Sequence, residues 1–473
     1  MITTTQTQGS EIEANYNFGY IWVVSIVAAM GGLLFGWDWV VIGGAKPFFE
    51  RYFQIHEPVL VGWANSCALV GCLAGALAAG ALSDRWGRKK LLIFSALLFA
   101  VTSIGNGLAS TLLIFVCWRI LGGVAIGLAS NLSPMYIAEI APARLRGRLV
   151  SINQLTITTG ALLAQIINWR LSHNLPHGAS DEFIRTSWFG QQGWRWMFGL
   201  TAGPALVFFL GMLFVPESPR WLMKNGKVEA ARRILTSVGG SRYAEASSNE
   251  IQSTLASEEI QRVRFSDLLE PGMRRVLMLG VVLAVFQQWC GINVIFNYAE
   301  EIFGAGGYDV SAVLKNIACT GSVAFVATIA ALGIVDRGGR RPLMLFGSAS
   351  LALIFFALSL CYHAGLTGRP ILGLVLAAIG CYAMSLAPIT WVVISEIFPN
   401  RIRGAAMAVA VSALWVACFI LTITFPSLRA HLGLAGVFGL YGVVCVGGFA
   451  FIRVYLPETK GKTLEEIERA LVD

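Results

Sequence analysis

Apolar residues in this chain come in long unbroken runs, without the alternation of a half-buried strand or the narrow stripe of a surface helix. Runs of about 20 such residues, the length that crosses a hydrocarbon core, occur roughly twelve times. They lie at about 18–44, 59–82, 90–109, 112–138, 148–169, 193–215, 273–303, 311–334, 342–363, 370–396, 403–428 and 432–456. The pattern predicts an all-α membrane protein of twelve transmembrane helices. A polar stretch over 216–272 follows the sixth run. It separates a first six-helix half (1–215) from a second (273–456), and a short tail (457–473) closes the chain. Within the polar stretch, KVEAARRILTSV sets Val228, Ala231, Ile234 and Leu235 on one helical face, and EIQSTLASEEIQRV offers a second helix. That stretch is read as a small cytoplasmic helical bundle, with a solvated spacer as the alternative. The opening MITTTQTQGSEIEANYN lacks the basic segment of a cleavable signal, so the first run is expected to stay as a helix.

Composition agrees. Of 473 residues, 56% are hydrophobic and only 13% charged, and the mean hydropathy is +0.67. A soluble domain carries about one quarter charged residues. The net charge of +8 would suit nucleic acid, but its placement argues against that partner. With both termini cytoplasmic, about 26 of the 35 Lys and Arg fall in inner loops or at inner helix ends, as the positive-inside bias requires. The nine cysteines mostly sit inside apolar runs with no C-x-x-C, and the five histidines are scattered. Neither a metal site nor a cofactor is expected. No nucleophile–base set or phosphate-cradling loop points to an enzyme.

The two halves repeat each other. Asp84-Arg85-Trp86-Gly87-Arg88-Lys89 follows the second run, and Asp336-Arg337-Gly338-Gly339-Arg340-Arg341 the eighth. Glu139 precedes Arg146-Gly147 by the same spacing that sets Glu396 before Arg403-Gly404. Pro216-Glu217-Ser218-Pro219-Arg220 closes the sixth run and Pro457-Glu458-Thr459-Lys460-Gly461 the twelfth. Three motif pairs in one order describe a duplicated six-span unit. Gly87 and Gly339 allow tight turns between helices. Asp84, Arg88, Glu139 and Arg146 lie at inner helix ends where carboxylate and guanidinium can pair. Together with Glu217, Asp336, Arg340, Glu396, Arg403 and Glu458 they form a candidate cytoplasmic gate tying the halves together; the alternative is charge that only sets topology.

Asp38 and Arg119 lie inside apolar runs, where a charge is costly and usually functional. If the first run ends near 44 and the fourth begins near 112, both sit about 10 Å below the outer surface. Pairing is then feasible. A buried carboxyl prefers to be neutral and an adjacent guanidinium favours its anion, so movement of Arg119 would switch proton affinity. A static ion pair is the alternative.

The segments GALSDRWGRKK, SPMYIAEIAPARLRG, VPESPRWL, FQQWCGIN, VDRGGRRPL, SEIFPNRIRG and LPETKGKTLEE resemble the signatures of the sugar porter family of the major facilitator superfamily, over nearly the whole chain. The resemblance implies two halves rocking about a midplane site. It implies that Gln154, Gln287, Gln288 and Asn293 contact a monosaccharide or related polyol and that Trp415 walls the site. An acidic residue at the Asp38 position resembles the proton-coupled members, whereas uniporters commonly lack it. Amides donate and accept, as sugar hydroxyls do. Departures stand at Ala161 and Leu414 (glutamine is common), Ala324 (asparagine), Leu386 (tryptophan) and Asn297 (tyrosine), which leaves the sugar open. The expected activity is proton-coupled symport across a plasma membrane, the inner one in a bacterium, by a carrier functional as a monomer in the lipid bilayer. Alternatives are sugar uniport, drug efflux and a non-transporting sensor. The about 17 residues after the last run are too few for a signalling domain.

Overall fold

The computed structural model describes residues 16–260, 270–398 and 403–460. The first half contributes α1 (Phe18–Phe53), α2 (Pro58–Trp86), α3 (Arg88–Leu108), α4 (Leu112–Ile140) and α5 (Ala143–Leu171), then α6 (Phe189–Phe214). The second half begins with α7 (Gly272–Asn297), α8 (Val310–Ile334), α9 (Arg340–His363) and α10 (Arg369–Ile397). The last apolar stretch, Gly404–Tyr455, has 52 residues. A straight helix of that length would run about 78 Å, more than two hydrocarbon cores of about 30 Å. Gly433, at φ 63° and ψ 173°, breaks it. It is therefore two spans, α11 (404–432) and α12 (434–455). The described residues thus hold twelve spans in two sets of six, as the apolar pattern predicts.

The surface is inverted relative to a soluble protein. Phe214 is 88% exposed and Leu108 76%, while Asp38, Arg119, Gln287, Gln288 and Asn293 are buried. Some helix pairs pack through bare backbone. A Cβ on Gly123 of α4 would lie 2.0 Å from the Ala68 carbonyl oxygen of α2, so only glycine lets these two axes approach. The predicted turn glycines take left-handed backbone, φ 90° at Gly87 and 77° at Gly339.

One boundary differs from the sequence expectation. The first helix continues to Phe53 rather than ending near 44, because Lys46, Glu50 and Arg51 find ionic partners in the fold and do not mark a water interface. Asp38 then lies fifteen residues, about 22 Å, from the end of its helix, and Arg119 seven, about 10 Å, from the start of its own. They meet because α1 projects beyond α4.

Between the halves, Pro219–Lys224 and Val228–Ile260 form the linker helices, the second turning at Gly239 and Gly240. Trp221, Leu222, Ala231, Leu235 and Ala244 make their own small core. The Trp221 indole N–H donates to the Asp84 carbonyl at 2.9 Å, and the Asn17 N–H donates to the Val238 carbonyl at 2.9 Å. These bonds fasten the bundle under the first half. The end of EIQSTLASEEIQRV beyond 260, and the tail beyond 460, lie outside the described residues.

Candidate functional site

Arg119 and Asp38 come together in the first half. Arg119 Nη1 donates to Asp38 Oδ1 at 2.7 Å, and the two side chains are 4% and 9% exposed. The guanidinium lies 5.3 Å from the centre of the Phe198 ring, a cation–π contact that holds it from α6. A cavity of about 20 Å³ adjoins the pair, lined by Asp38, Arg119, Asn65, Ile42 and, from the second half, Asn297. That is room for about one water. Asn65 Oδ1 and Arg119 Nε are buried without a protein partner, so a water there would find both an acceptor and a donor.

The amides gather on α7, where Gly291 at φ 88° interrupts the helix. Gln288 Nε2 donates to Gln287 Oε1 at 2.6 Å, and Asn293 Nδ2 donates to Gln288 Oε1. This chain orients each amide through the next. Trp415 of α11 reaches across to α1, with ring centres 6.0 Å from Phe35 and 6.1 Å from Trp39. An aromatic wall therefore spans both halves beside Asp38. Gln154 is half-buried on α5, and its side-chain amide makes no hydrogen bond to protein among the described residues.

Two positions read differently in the structure. Leu386, where the resemblance makes tryptophan common, lies in the packing between helices. It is fully buried on the face of α10 shared with Ile389, Val393 and Ile397, against Gly347 of α9. Trp391 of the same helix is half-buried on another face. Asn297 is buried as part of the Asp38 cavity, which ties that departure to the ion pair.

At one end of the spans the duplicated motifs build duplicated networks. Arg88 Nη2 donates to Glu139 Oε1 at 3.0 Å and Arg88 Nη1 to Asp84 Oδ1 at 3.4 Å. Glu217 accepts from the backbone N–H groups of Arg88 and Lys89 at 3.0 and 3.1 Å, and Glu139 also accepts from the Ser218 hydroxyl. In the second half Arg340 Nη2 donates to Glu396 Oε1 at 3.2 Å, Thr459 to Glu396 Oε2 at 2.6 Å, and Glu458 accepts from the Arg340 and Arg341 N–H groups at 2.9 and 3.1 Å. Glu217 and Glu458 thus cap the N-termini of α3 and α9, where a carboxylate is favoured. Arg146 is exposed with no ion pair among the described residues; the side chains of Asp336 and Arg403 lie outside them. In this state every described bond of the two networks closes within one half rather than between halves.

Burial pushes the Glu458 carboxyl up, but the N–H groups of Lys460, Arg340 and Arg341 outweigh it and hold its pKa below the ordinary value. A lowered folded-state pKa supports the fold above the unfolded value and ceases to do so as pH falls through the lowered one. Glu458→Gln is therefore expected to melt earlier than the parent at neutral pH. The difference should close in acid, as thermal melts across pH would record.

The face opposite the duplicated motifs is tied across the halves. Lys46 Nζ lies 2.5 Å from Glu301 Oε1, Arg51 Nη1 donates to Glu300 Oε1 at 2.8 Å, and the Gly178 N–H donates to Asp309 Oδ2 at 3.1 Å. A Cβ on Gly43 would lie 2.1 Å from the Phe296 carbonyl oxygen. The halves are thus tied together at this face, while the described bonds of the duplicated networks stay within each half. Sequence reasoning missed these residues because their partners lie 249 and 255 positions away.

The family described as "Sugar (and other) transporter" matches residues 24–471. The chain belongs to this sugar transporter family. Among its curated relatives, the glucose transport protein of Synechocystis is 38% identical over 471 residues, covering 97% of this chain and 99% of the relative. The D-xylose-proton symporter of Escherichia coli is 37% identical over 488 residues, with 97% of each chain covered. A solved structure of the E. coli xylose transporter, partially occluded and inward open, superposes with a TM-score of 0.82 at 34% identity, over 94% of this chain and all of that one. Its family and relatives are transporters, and this member is a multi-pass membrane protein.

Proposed function

We propose that this transporter is a sugar–proton symporter working by alternating access, with no enzymatic step. The observation that carries the reading is the buried Asp38–Arg119 pair at 2.7 Å. It sits beside a small polar cavity that also touches Asn297 of α7, the helix bearing the amides. A proton arriving on Asp38 removes the charge that binds Arg119, and the guanidinium is released to move. Because Asp38 lies next to Trp39, which packs on Trp415, loss of the ion pair is felt at the aromatic wall of the sugar site. Gln154, Gln287, Gln288 and Asn293 would hold the hydroxyls, and Trp415 the C–H face of the ring. The inner networks of Asp84, Arg88, Glu139 and Glu217, and of Arg340, Glu396 and Glu458, act as two rigid half-gates that dock on each other when the carrier turns outward. Arg146, Asp336 and Arg403 complete them.

The carrier works as a monomer in a plasma membrane, with both termini in the cytoplasm. Its sugar comes from uptake into proteoliposomes of a panel of pentoses, hexoses and cyclitols. At least one member is expected to accumulate only when the outside is acid. Equal entry with and without the gradient, for every sugar that enters, would instead assign uniport.

A further inference from the structure

The outer ion cluster has a property that a static brace would not need. Lys46 is 2% exposed and bonds across the halves to Glu301, yet its ammonium is also 3.0 Å from Glu50, one turn along its own helix. Glu50 is in turn held to α2 by Asn65 Nδ2, which donates to its Oε1 at 3.2 Å. Arg51 bonds across the halves to Glu300 and, within its own half, to Asp181 at 2.8 Å. Glu301 faces Lys46 across the boundary and Arg429 of its own half at 3.9 Å. Lys46, Arg51 and Glu301 therefore each pair into the opposite half, Lys46 with Glu300 at 3.8 Å as well as with Glu301, and each has a further partner that would travel with it. The ions line one outward cleft of about 430 Å³, with His56 and Tyr308 at its wall.

We propose that Lys46, Glu50 and Glu301 are the outer gate of the carrier, a latch that opens by exchange of ionic partners. When the halves part outside, Lys46 keeps Glu50, Arg51 keeps Asp181 and Glu301 keeps Arg429. A buried charge left alone is costly, and a latch that stranded Lys46 would lock the carrier shut. The same-half partners remove that penalty, so the closed state is held firmly and still released in every cycle. In the closed state Glu50, Glu300 and Glu301 also crowd one another around Lys46, and opening relieves that like-charge contact.

Partner exchange predicts opposite signs from carboxylates in one cluster. Glu301→Gln removes the cross-half bond and favours opening. Glu50→Gln removes the partner that Lys46 needs when open, and favours closure. The test is hydrogen–deuterium exchange of the protein in lipid nanodiscs without sugar or pH gradient, read at peptides covering 46–53 and 292–305. This rests on the carrier reading alone, and its outcome is independent of whether protons drive transport. Exchange is expected to speed roughly ten-fold in Glu301→Gln and to slow by a similar factor in Glu50→Gln. Such is the population change when a charge-assisted bond is lost from one of two states. Asp181→Asn, at an 82% exposed side chain, should slow exchange near Arg51 and serves if a core variant fails to reach the membrane. Exchange that moves in Glu301→Gln the same way as in Glu50→Gln or Asp181→Asn, or that moves in none of them, would overturn the latch.

Discussion

Asp38→Asn is expected to abolish uphill accumulation while leaving solute counterflow intact. Asparagine has the shape of the acid but is fixed in a neutral state, so the carrier can rock with bound sugar yet carries no proton. One pH unit is worth about 1.4 kcal/mol per proton, so at one proton per sugar the parent should concentrate its substrate roughly ten-fold across such a gradient. The variant should stop at equal concentrations on the two sides. Counterflow tests the other half of the claim, because exchange of labelled for unlabelled sugar needs the binding site and the rocking motion but no net proton. Loss of both activities would make Asp38 a structural residue. Retention of uphill uptake would move the coupling elsewhere.

The second large effect is expected at Gln288. Its amide sits in the middle of the α7 chain, giving one hydrogen to Gln287 and taking one from Asn293. Gln288→Ala removes a sugar contact and also leaves two buried amides mispositioned, so it costs more than one hydrogen bond. The half-saturation concentration should rise by roughly one to two orders of magnitude, measured as sugar uptake against concentration. The aromatic wall formed by Trp415, Trp39 and Phe35 would be untouched. Unchanged half-saturation would place the hydroxyl-reading amides elsewhere.

The fold was legible because a bilayer asks for long apolar runs and the chain supplies them with inner motifs in register. Local charge misled at one place. Lys46, Glu50 and Arg51 read as the end of a span because a sequence shows charge but not its partners; in the fold Lys46 is satisfied by Glu50 and Glu301 and disappears from water. Asp38 and Arg119 were legible for the converse reason, since two charges of opposite sign deep in apolar runs have few ways to be satisfied except by each other. The outer latch was not legible, because nothing local links α1 to a segment in the other half. The inner motifs revealed their partners through the repeat, but only coordinates show that Glu217 and Glu458 bond chiefly to backbone N–H groups at helix starts.

The account depends on sugar and proton moving together, and that can be read directly. Proteoliposomes carrying a luminal pH dye, with no preformed pH gradient and with valinomycin and potassium to clamp the voltage, would receive the accumulating sugar of the panel outside. The lumen should acidify as sugar enters the parent protein and should stay unchanged with Asp38→Asn. Sugar entry into the parent without luminal acidification would contradict proton-coupled transport.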